Sequence, residues 1–172
     1  CQWDGNAITI LSNEIIGTGF GNGVAVYNGE IYVAGFFSAI GSVSARGIAR
    51  FDGTTWRDVN SSTSGINFIT GGFTPDFNLA VYNGELYFGS GFSTSGGAPS
   101  NRIARWNGTS WLPLGTGLTG FGVASLKVIG GELYVGGEHT GVAGVPGTAY
   151  LAKWNGTTWL PTNLPYGNFS YV

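Results

Sequence analysis

The sequence predicts an all-β protein, namely a β-propeller segment made of four-stranded antiparallel blades. One stretch of residues recurs, and its copies place Tyr32, Tyr87 and Tyr134 about 50 residues apart. Turn pairs such as Asn28-Gly29 separate short apolar segments within each copy. Aromatic residues make up 15% of the chain and charged residues only 9%, and there are 32 glycines. That composition favours many short strands over amphipathic helices, which need a charged face.

Each copy divides into four short strands. In the second copy, the first strand is LAVY at 79–82, and the Asn83-Gly84 turn leads into the second strand, ELYFGS. A loop rich in glycine and serine follows, and the third strand, RIARW, ends at the Asn107-Gly108 turn before a fourth strand that begins at Trp111. The first turn is predicted to have a positive φ at both residues. In the second turn, the positive φ is expected at the Asn or Asp position.

The repeat boundaries predict a single domain over residues 1–172 with about three complete blades and a partial blade at either end. The expected divisions are a partial blade at 1–19, complete blades at 20–74, 75–120 and 121–164, and the first strand of a next blade at 165–172. Such an arc would leave apolar blade faces bare at both ends. We therefore expect further blades of a longer chain, or other copies of the protein, to cover them.

The repeats resemble kelch repeats. The segment Leu133-Tyr134-Val135-Gly136-Gly137, followed by Trp154 and Trp159, carries the resemblance. The segments LAVYNGELYFG and IARWNGTSW of the second copy are similar to repeats of secreted bacterial proteins with kelch-like β-propellers. The resemblance implies a propeller fold and an extracellular or cell-surface location. It implies no particular activity, because propellers carry many unrelated functions.

Six aromatic residues occupy the same positions in every copy, which predicts that they pack between blades. An aromatic row on one exposed face would instead favour glycan binding, because sugar rings stack on aromatic side chains. The six predicted packing residues are Tyr32, Tyr87, Tyr134, Trp56, Trp111 and Trp159.

Each copy also repeats one acidic residue and one basic residue. Acid–base catalysis needs two acids close together in one pocket, whereas these acids occur once per blade. The pattern therefore predicts structural ion pairs, and we expect a short contact between Glu85 and Arg105 within one blade or across two blades. A surface pair of this kind contributes at most about 1 kcal/mol.

Several classes of function are not indicated. The net charge of −2 and the lack of a basic run argue against nucleic-acid binding. No apolar run approaches the roughly 20 residues of a membrane-spanning helix. The single histidine, His139, has no neighbours at metal-ligand spacing. We therefore expect no metal, no cofactor and no catalytic residue, and the protein is not expected to be an enzyme.

Two kinds of residue are candidate sites for modification or cross-linking. The single cysteine, Cys1, aligns with alanines of the later copies, so it is a small apolar residue, a link to another chain, or the lipid-bearing first residue of a lipoprotein. Four asparagines begin Asn-X-Ser/Thr sequences and are candidate glycosylation sites, although turn chemistry explains two of them. These are Asn60, Asn107, Asn155 and Asn168.

The segments that differ between copies are the expected places for specific function, because binding residues are usually carried on loops held by a rigid frame. They are Ser38–Arg46, Ser93–Asn101, Gly141–Thr148 and the connection 60–76. The favoured hypothesis is a non-catalytic extracellular structural or interaction protein that assembles with further blades or copies, as in a surface fibre or filament. The alternatives are a carbohydrate-binding module and, less favoured, a polysaccharide-active enzyme domain.

Overall fold

The computed structural model describes residues 20–59, 76–95 and 98–162, together with the backbone of the strands at 2–3, 8–9, 15–16 and 67–68. These described residues form 22 strands and no helix. In chain order, the strands are β1 (Gln2–Trp3), β2 (Ile8–Thr9), β3 (Ile15–Ile16), β4 (Phe20–Tyr27), β5 (Glu30–Phe36), β6 (Ala39–Ile40), β7 (Val43–Ser44), β8 (Ile48–Phe51), β9 (Trp56–Asp58), β10 (Asn67–Phe68), β11 (Asn78–Tyr82), β12 (Glu85–Gly89), β13 (Phe92–Ser95), β14 (Ala98–Pro99), β15 (Ile103–Trp106), β16 (Trp111–Pro113), β17 (Thr119–Gly120), β18 (Ser125–Ile129), β19 (Glu132–Gly136), β20 (His139–Gly141), β21 (Leu151–Trp154) and β22 (Trp159–Pro161).

Three four-stranded antiparallel sheets form the body of the protein. Blade 1 has the order β4-β5-β8-β9, blade 2 the order β11-β12-β15-β16 and blade 3 the order β18-β19-β21-β22. Every neighbouring pair of strands is antiparallel. The predicted all-β class and the predicted four-stranded blades are therefore confirmed.

The blades follow one another with their first strands side by side. Strand β11 of blade 2 lies beside both β4 of blade 1 and β18 of blade 3. This is the arrangement of inner strands around a propeller axis, and the described residues do not close it into a ring. We call the side of a blade that points toward the next blade its forward face, and the opposite side its backward face.

A short hairpin precedes blade 1. Strands β1 and β2 pair with Trp3 opposite Ile8, and β15 and β16 pair with Trp106 opposite Trp111 in the same way. The pairing of β1 with β2 thus has the register of the last two strands of a blade. The strand predicted within 165–172 lies outside the described residues.

The first turn of each blade has the predicted geometry. Asn28 and Gly29 have φ values of 50° and 77°, and Asn83 and Gly84 have values of 47° and 73°. A positive φ at both central residues is the type I′ arrangement, whose twist matches that of the paired strands.

The second turn corrects the prediction. Its positive φ lies at glycine, with values of 97° at Gly53 and 100° at Gly108, and not at the preceding Asp or Asn. The Asn107 side chain serves another purpose, because its Oδ1 accepts hydrogen bonds from the backbone N–H groups of Thr109 and Ser110, each at 2.9 Å. A short side-chain oxygen that caps its own turn explains why both Asp and Asn occur there.

The variable segments are also more regular than predicted. The segment after the second strand forms a hairpin, β6-β7 in blade 1 and β13-β14 in blade 2, and in blade 3 it contains β20. The first strand of each segment, β6, β13 or β20, pairs with a short strand of the connection that precedes its own blade, namely β3, β10 or β17 respectively. Every repeat therefore carries a small second sheet that anchors the connection between blades.

The hydrophobic core lies between the blades. Between blades 1 and 2, Tyr32 and Ile48 of one forward face pack with Leu86, Phe88 and Trp106 of the next backward face. An equivalent cluster joins blades 2 and 3, with members that include Tyr87, Ile103, Leu133, Val135 and Trp154. Each junction is thus a forward face packed against a backward face.

Candidate functional site

The repeated tyrosines lie on the forward faces. Tyr32 and Tyr87 are fully buried at the two junctions, and burial is the main cause of the raised pKa of each hydroxyl. The Trp106 indole of blade 2 lies close enough to Tyr32 to oppose that rise, although its Nε1–H has no aligned acceptor. Tyr134, the equivalent residue of blade 3, is only half-buried.

The repeated tryptophans lie on the backward faces, and two of them bond to the preceding blade. Trp111 Nε1 donates to the carbonyl oxygen of Val59 at 3.0 Å, and Trp159 Nε1 donates to that of Leu114 at 3.1 Å. Val59 and Leu114 each follow the repeated tryptophan of their own blade by three residues. Trp56 Nε1 of blade 1 is also buried but has no acceptor in the described part of the chain.

The outer faces of blades 1 and 3 expose apolar side chains that are buried at the internal junctions. On the forward face of blade 3, Ile129 is 55% exposed, whereas its equivalent in blade 2, Tyr82, is 4% exposed. On the backward face of blade 1, Val24 is 66% exposed, whereas Leu126 at the same position of blade 3 is 9% exposed. In the described part of the chain, two surfaces with the composition of a blade junction therefore expose apolar side chains.

The repeated charged residues form ion pairs within each blade. Arg105 contacts Glu85 at 2.7 Å, as predicted, and the equivalent Arg50 and Glu30 lie 2.6 Å apart. In blade 3 a lysine takes the basic position, 3.0 Å from the carboxylate of Glu132. These acids link the second strand to the third strand in every copy.

The predicted modification sites are divided between described and undescribed parts of the chain. Asn107 and Asn155 are exposed, and each Oδ1 caps its own turn. Asp52 occupies the same turn position in blade 1, where the Thr54 and Thr55 N–H groups and Arg57 hold its pKa well below the usual range. Three predicted residues lie outside the described residues: Cys1, Asn60 and Asn168.

His139 is fully buried, which its isolation in the sequence did not predict. Its Nε2 lies 3.3 Å from the carbonyl oxygen of Val135, while Nδ1 is buried and has no hydrogen-bond partner within the ranges that the structure describes. Burial lowers the pKa of His139. The residue occupies the position of Phe37 in blade 1 and Phe92 in blade 2, and both of these belong to the hydrophobic core. Comparison of the copies could have identified His139 as a core residue.

Three exposed side chains lie beside the small sheet of blade 3, and we call Phe121, Glu138 and Tyr150 the surface row. The Phe121 N–H donates to the Glu138 carbonyl at 3.3 Å. Tyr150 lies on the other side of Glu138, because its N–H bonds the His139 carbonyl and its own carbonyl accepts from Gly137. Phe121 is 73% exposed, Tyr150 is 56% exposed, and Glu138 is exposed as well.

The surface row borders an open groove of about 360 Å³. The groove is lined by Thr119 and by residues 140–149, which include the variable segment Gly141–Thr148. Arg102 supports the adjoining chain, since its Nε donates to the Phe121 carbonyl at 3.2 Å and its Nη1 to that of Leu118 at 3.0 Å. One feature of the sequence could have indicated this site, namely aromatic residues at positions where the other copies lack them.

The described residues contain no cluster of three or more His, Cys, Asp or Glu side chains that could bind a metal ion. Nor does this part of the chain include any helix that could span a lipid bilayer. No protein-family model and no curated protein matches the sequence.

Proposed function

We propose that this protein is a non-catalytic extracellular interaction protein, a kelch-like propeller segment whose outer blade faces bind further blades. The exposure of junction residues on the forward face of blade 3 and the backward face of blade 1 carries the proposal. The partner of each surface is a face of the opposite kind, supplied by another copy of the protein or by a further blade of a longer chain.

The two open faces have the residues of the two internal junctions. The forward face of blade 3 presents Ile129, Tyr134 and Leu151, which correspond to Tyr82, Tyr87 and Ile103 of blade 2. The backward face of blade 1 presents a second set, which corresponds to the buried backward faces of blades 2 and 3: Val24, Ile31, Val33, Phe51 and Trp56. Covering these side chains would remove apolar surface from water, which favours association.

A hydrogen-bond donor on the backward face of blade 1 also favours another blade as the partner of that face. Trp56 Nε1 is buried and has no acceptor among the described residues, whereas its equivalents in blades 2 and 3 each reach a carbonyl of the preceding blade. A buried donor without an acceptor costs about 1–3 kcal/mol. A blade packed against the backward face of blade 1 would supply that acceptor at the position that the carbonyl oxygens of Val59 and Leu114 occupy at the two internal junctions.

The ion pairs of the repeated acidic residues support the proposal that the protein is not catalytic. The repeated acids hold neighbouring strands together through ion pairs, so their role is structural. The resemblance to secreted bacterial repeat proteins supports the kelch-like assignment and the extracellular or cell-surface location.

A forward face can bind only a backward face, so the association is head to tail. This can be tested by light scattering coupled to size-exclusion chromatography, with Ile129→Glu to disable the forward face and Val24→Glu to disable the backward face. The wild-type protein is expected to grow in mass with concentration, and each variant alone is expected to be monomeric. An equimolar mixture of the two variants should form a heterodimer and nothing larger, because each retains one working face.

Val128→Glu is the matched control. Val128 lies on the same strand as Ile129 but on the other face and is already 40% exposed, so this variant should still associate. Thermal unfolding would establish that all variants remain folded. A wild-type protein that stays monomeric at every concentration would refute the proposal, and so would a mixture that fails to form the heterodimer.

A further inference from the structure

We propose that the surface row of Phe121, Glu138 and Tyr150 forms a binding site for a neutral oligosaccharide. The site is separate from the proposed blade-binding surfaces. It lies on the segments that flank the small sheet made by β17 and β20, and not on a four-stranded blade.

Backbone hydrogen bonds between neighbouring segments place these three residues side by side. Phe121 and Tyr150 are held by backbone hydrogen bonds on opposite sides of the segment 137–139. Each aromatic residue is thus one hydrogen-bonded neighbour away from this segment. The Glu138 side chain is exposed while the next residue, His139, is fully buried, so the carboxylate lies at the surface between the two aromatic residues. This arrangement suits an extended chain of sugar rings.

The fold imposes a left-handed backbone at Tyr150, but contacts within the described residues do not explain why the residue there is tyrosine. Its φ is 62°, and the equivalent residues Gly47 and Arg102 have φ values of 75° and 72°. Glycine adopts this conformation without cost, whereas a bulky residue pays roughly 1 kcal/mol or more. Arg102 uses its position to bond two carbonyl groups, but the Tyr150 ring is exposed and makes no hydrogen bond within the described residues. An exposed aromatic ring kept at this cost supports a role in binding.

The chemistry of the neighbouring groups favours a neutral polyhydroxyl ligand. The aromatic rings offer apolar surfaces for the C–H faces of sugars, and the Glu138 carboxylate accepts hydrogen bonds from hydroxyl groups. The groove beside the row adds the Oγ1 atom of Thr140 as an acceptor, because Thr140 donates its proton to Thr119 Oγ1 and Thr119 donates its own to the Gly141 carbonyl, each at 2.9 Å. Two aromatic rings and a carboxylate also suit an organic cation, but the guanidinium of Arg102 is held against the Phe121 carbonyl and opposes a positively charged ligand.

Affinity gel electrophoresis with neutral polysaccharides tests the proposal, using soluble cellulose, xylan, mannan and mixed-linkage glucan in separate gels. At least one polymer should retard the wild-type protein. Phe121→Ala and Tyr150→Ala should each weaken that binding at least tenfold, because each removes one stacking surface. Glu138→Gln should weaken it less, since the amide still accepts hydrogen bonds.

Phe36→Ala is the matched control, because Phe36 is 52% exposed and lies on blade 1 at the position that corresponds to Glu138. It should bind as the wild type does. The proposal is overturned if no polymer retards the protein, if Phe121→Ala and Tyr150→Ala bind as tightly as the wild type, or if Phe36→Ala loses binding equally. Saturable binding of tetramethylammonium without polysaccharide binding would overturn it in favour of a cation site. None of these outcomes depends on head-to-tail association, so the two proposals can fail separately.

Discussion

The indole nitrogen of Trp111 donates a hydrogen bond to the carbonyl oxygen of Val59 across the junction between blades 1 and 2, at 3.0 Å. The bond joins the start of the fourth strand of one blade to the residue that follows the fourth strand of the previous blade. Trp159 and Leu114 repeat the relationship at the next junction. One hydrogen bond at the same place thus accompanies the apolar contacts of both junctions.

Replacement of Trp111 by phenylalanine should destabilise the protein by about 2 kcal/mol, because it leaves the buried Val59 carbonyl without its donor and also reduces packing. Trp56→Phe is the control, since no described residue accepts a hydrogen bond from Trp56 Nε1, and it should cost less than about 1 kcal/mol. Urea unfolding of both variants measures the difference. Equal losses of stability would show that the hydrogen bond contributes nothing.

Tyr87→Ala should cost about 3–5 kcal/mol of unfolding free energy, because a large ring is removed from the fully buried junction between blades 2 and 3. Tyr134→Ala removes the same ring from the half-buried forward face of blade 3 and should cost less than half as much. Chemical denaturation of the two variants side by side provides the comparison. A larger loss for Tyr134→Ala would contradict the assignment of Tyr87 as the junction residue.

Two glycines of one loop should respond differently to alanine. Gly115 and Gly117 have φ values of 58° and 71°, so both substitutions carry the backbone cost of about 1 kcal/mol. A methyl group at residue 115 meets no atom within 4 Å, whereas one at residue 117 would lie 2.5 Å from the Asn101 carbonyl oxygen. Gly117→Ala should therefore cost about 3 kcal/mol and Gly115→Ala about 1 kcal/mol, as measured by thermal unfolding. Similar melting temperatures for the two variants would contradict this account.

Stability should decrease as the pH falls, because His139 is buried and its pKa is lowered. In the unfolded chain a histidine titrates near pH 6.5. Between the two pKa values the unfolded state therefore binds more protons than the folded state, and the free energy of unfolding falls with the pH. Above about pH 6.5 the residue is neutral in both states and its contribution is constant.

His139→Phe tests this dependence, since phenylalanine occupies the equivalent core positions at Phe37 and Phe92. The variant should lose less stability than the wild type when urea unfolding is compared at about pH 7.5 and about pH 5. Parallel losses in the two proteins would show that His139 does not account for the acid sensitivity.

The repeat and its turn residues were sufficient to predict the blades. Asn28-Gly29 and Asn83-Gly84 mark hairpins because few other residue pairs adopt two positive φ values, and the alternation of apolar residues around them marks the strands. The small sheets were not predictable, since two-residue strands such as β3 and β17 carry no periodic signal. The surface row was missed for a related reason. Phe121 and Tyr150 are not part of the repeated pattern, and only the pairing of the chain brings them together.

The equivalence of the two junctions determines how the molecule loses its structure. Because Trp111 and Trp159 each bond only to the blade immediately before, a blade is stabilised by its neighbours and by little else. In such a chain the total stability is close to a sum of unit terms and nearest-neighbour terms, so damage at one junction stays local. Fraying is therefore expected to begin at the outermost unit and to advance inward one blade at a time.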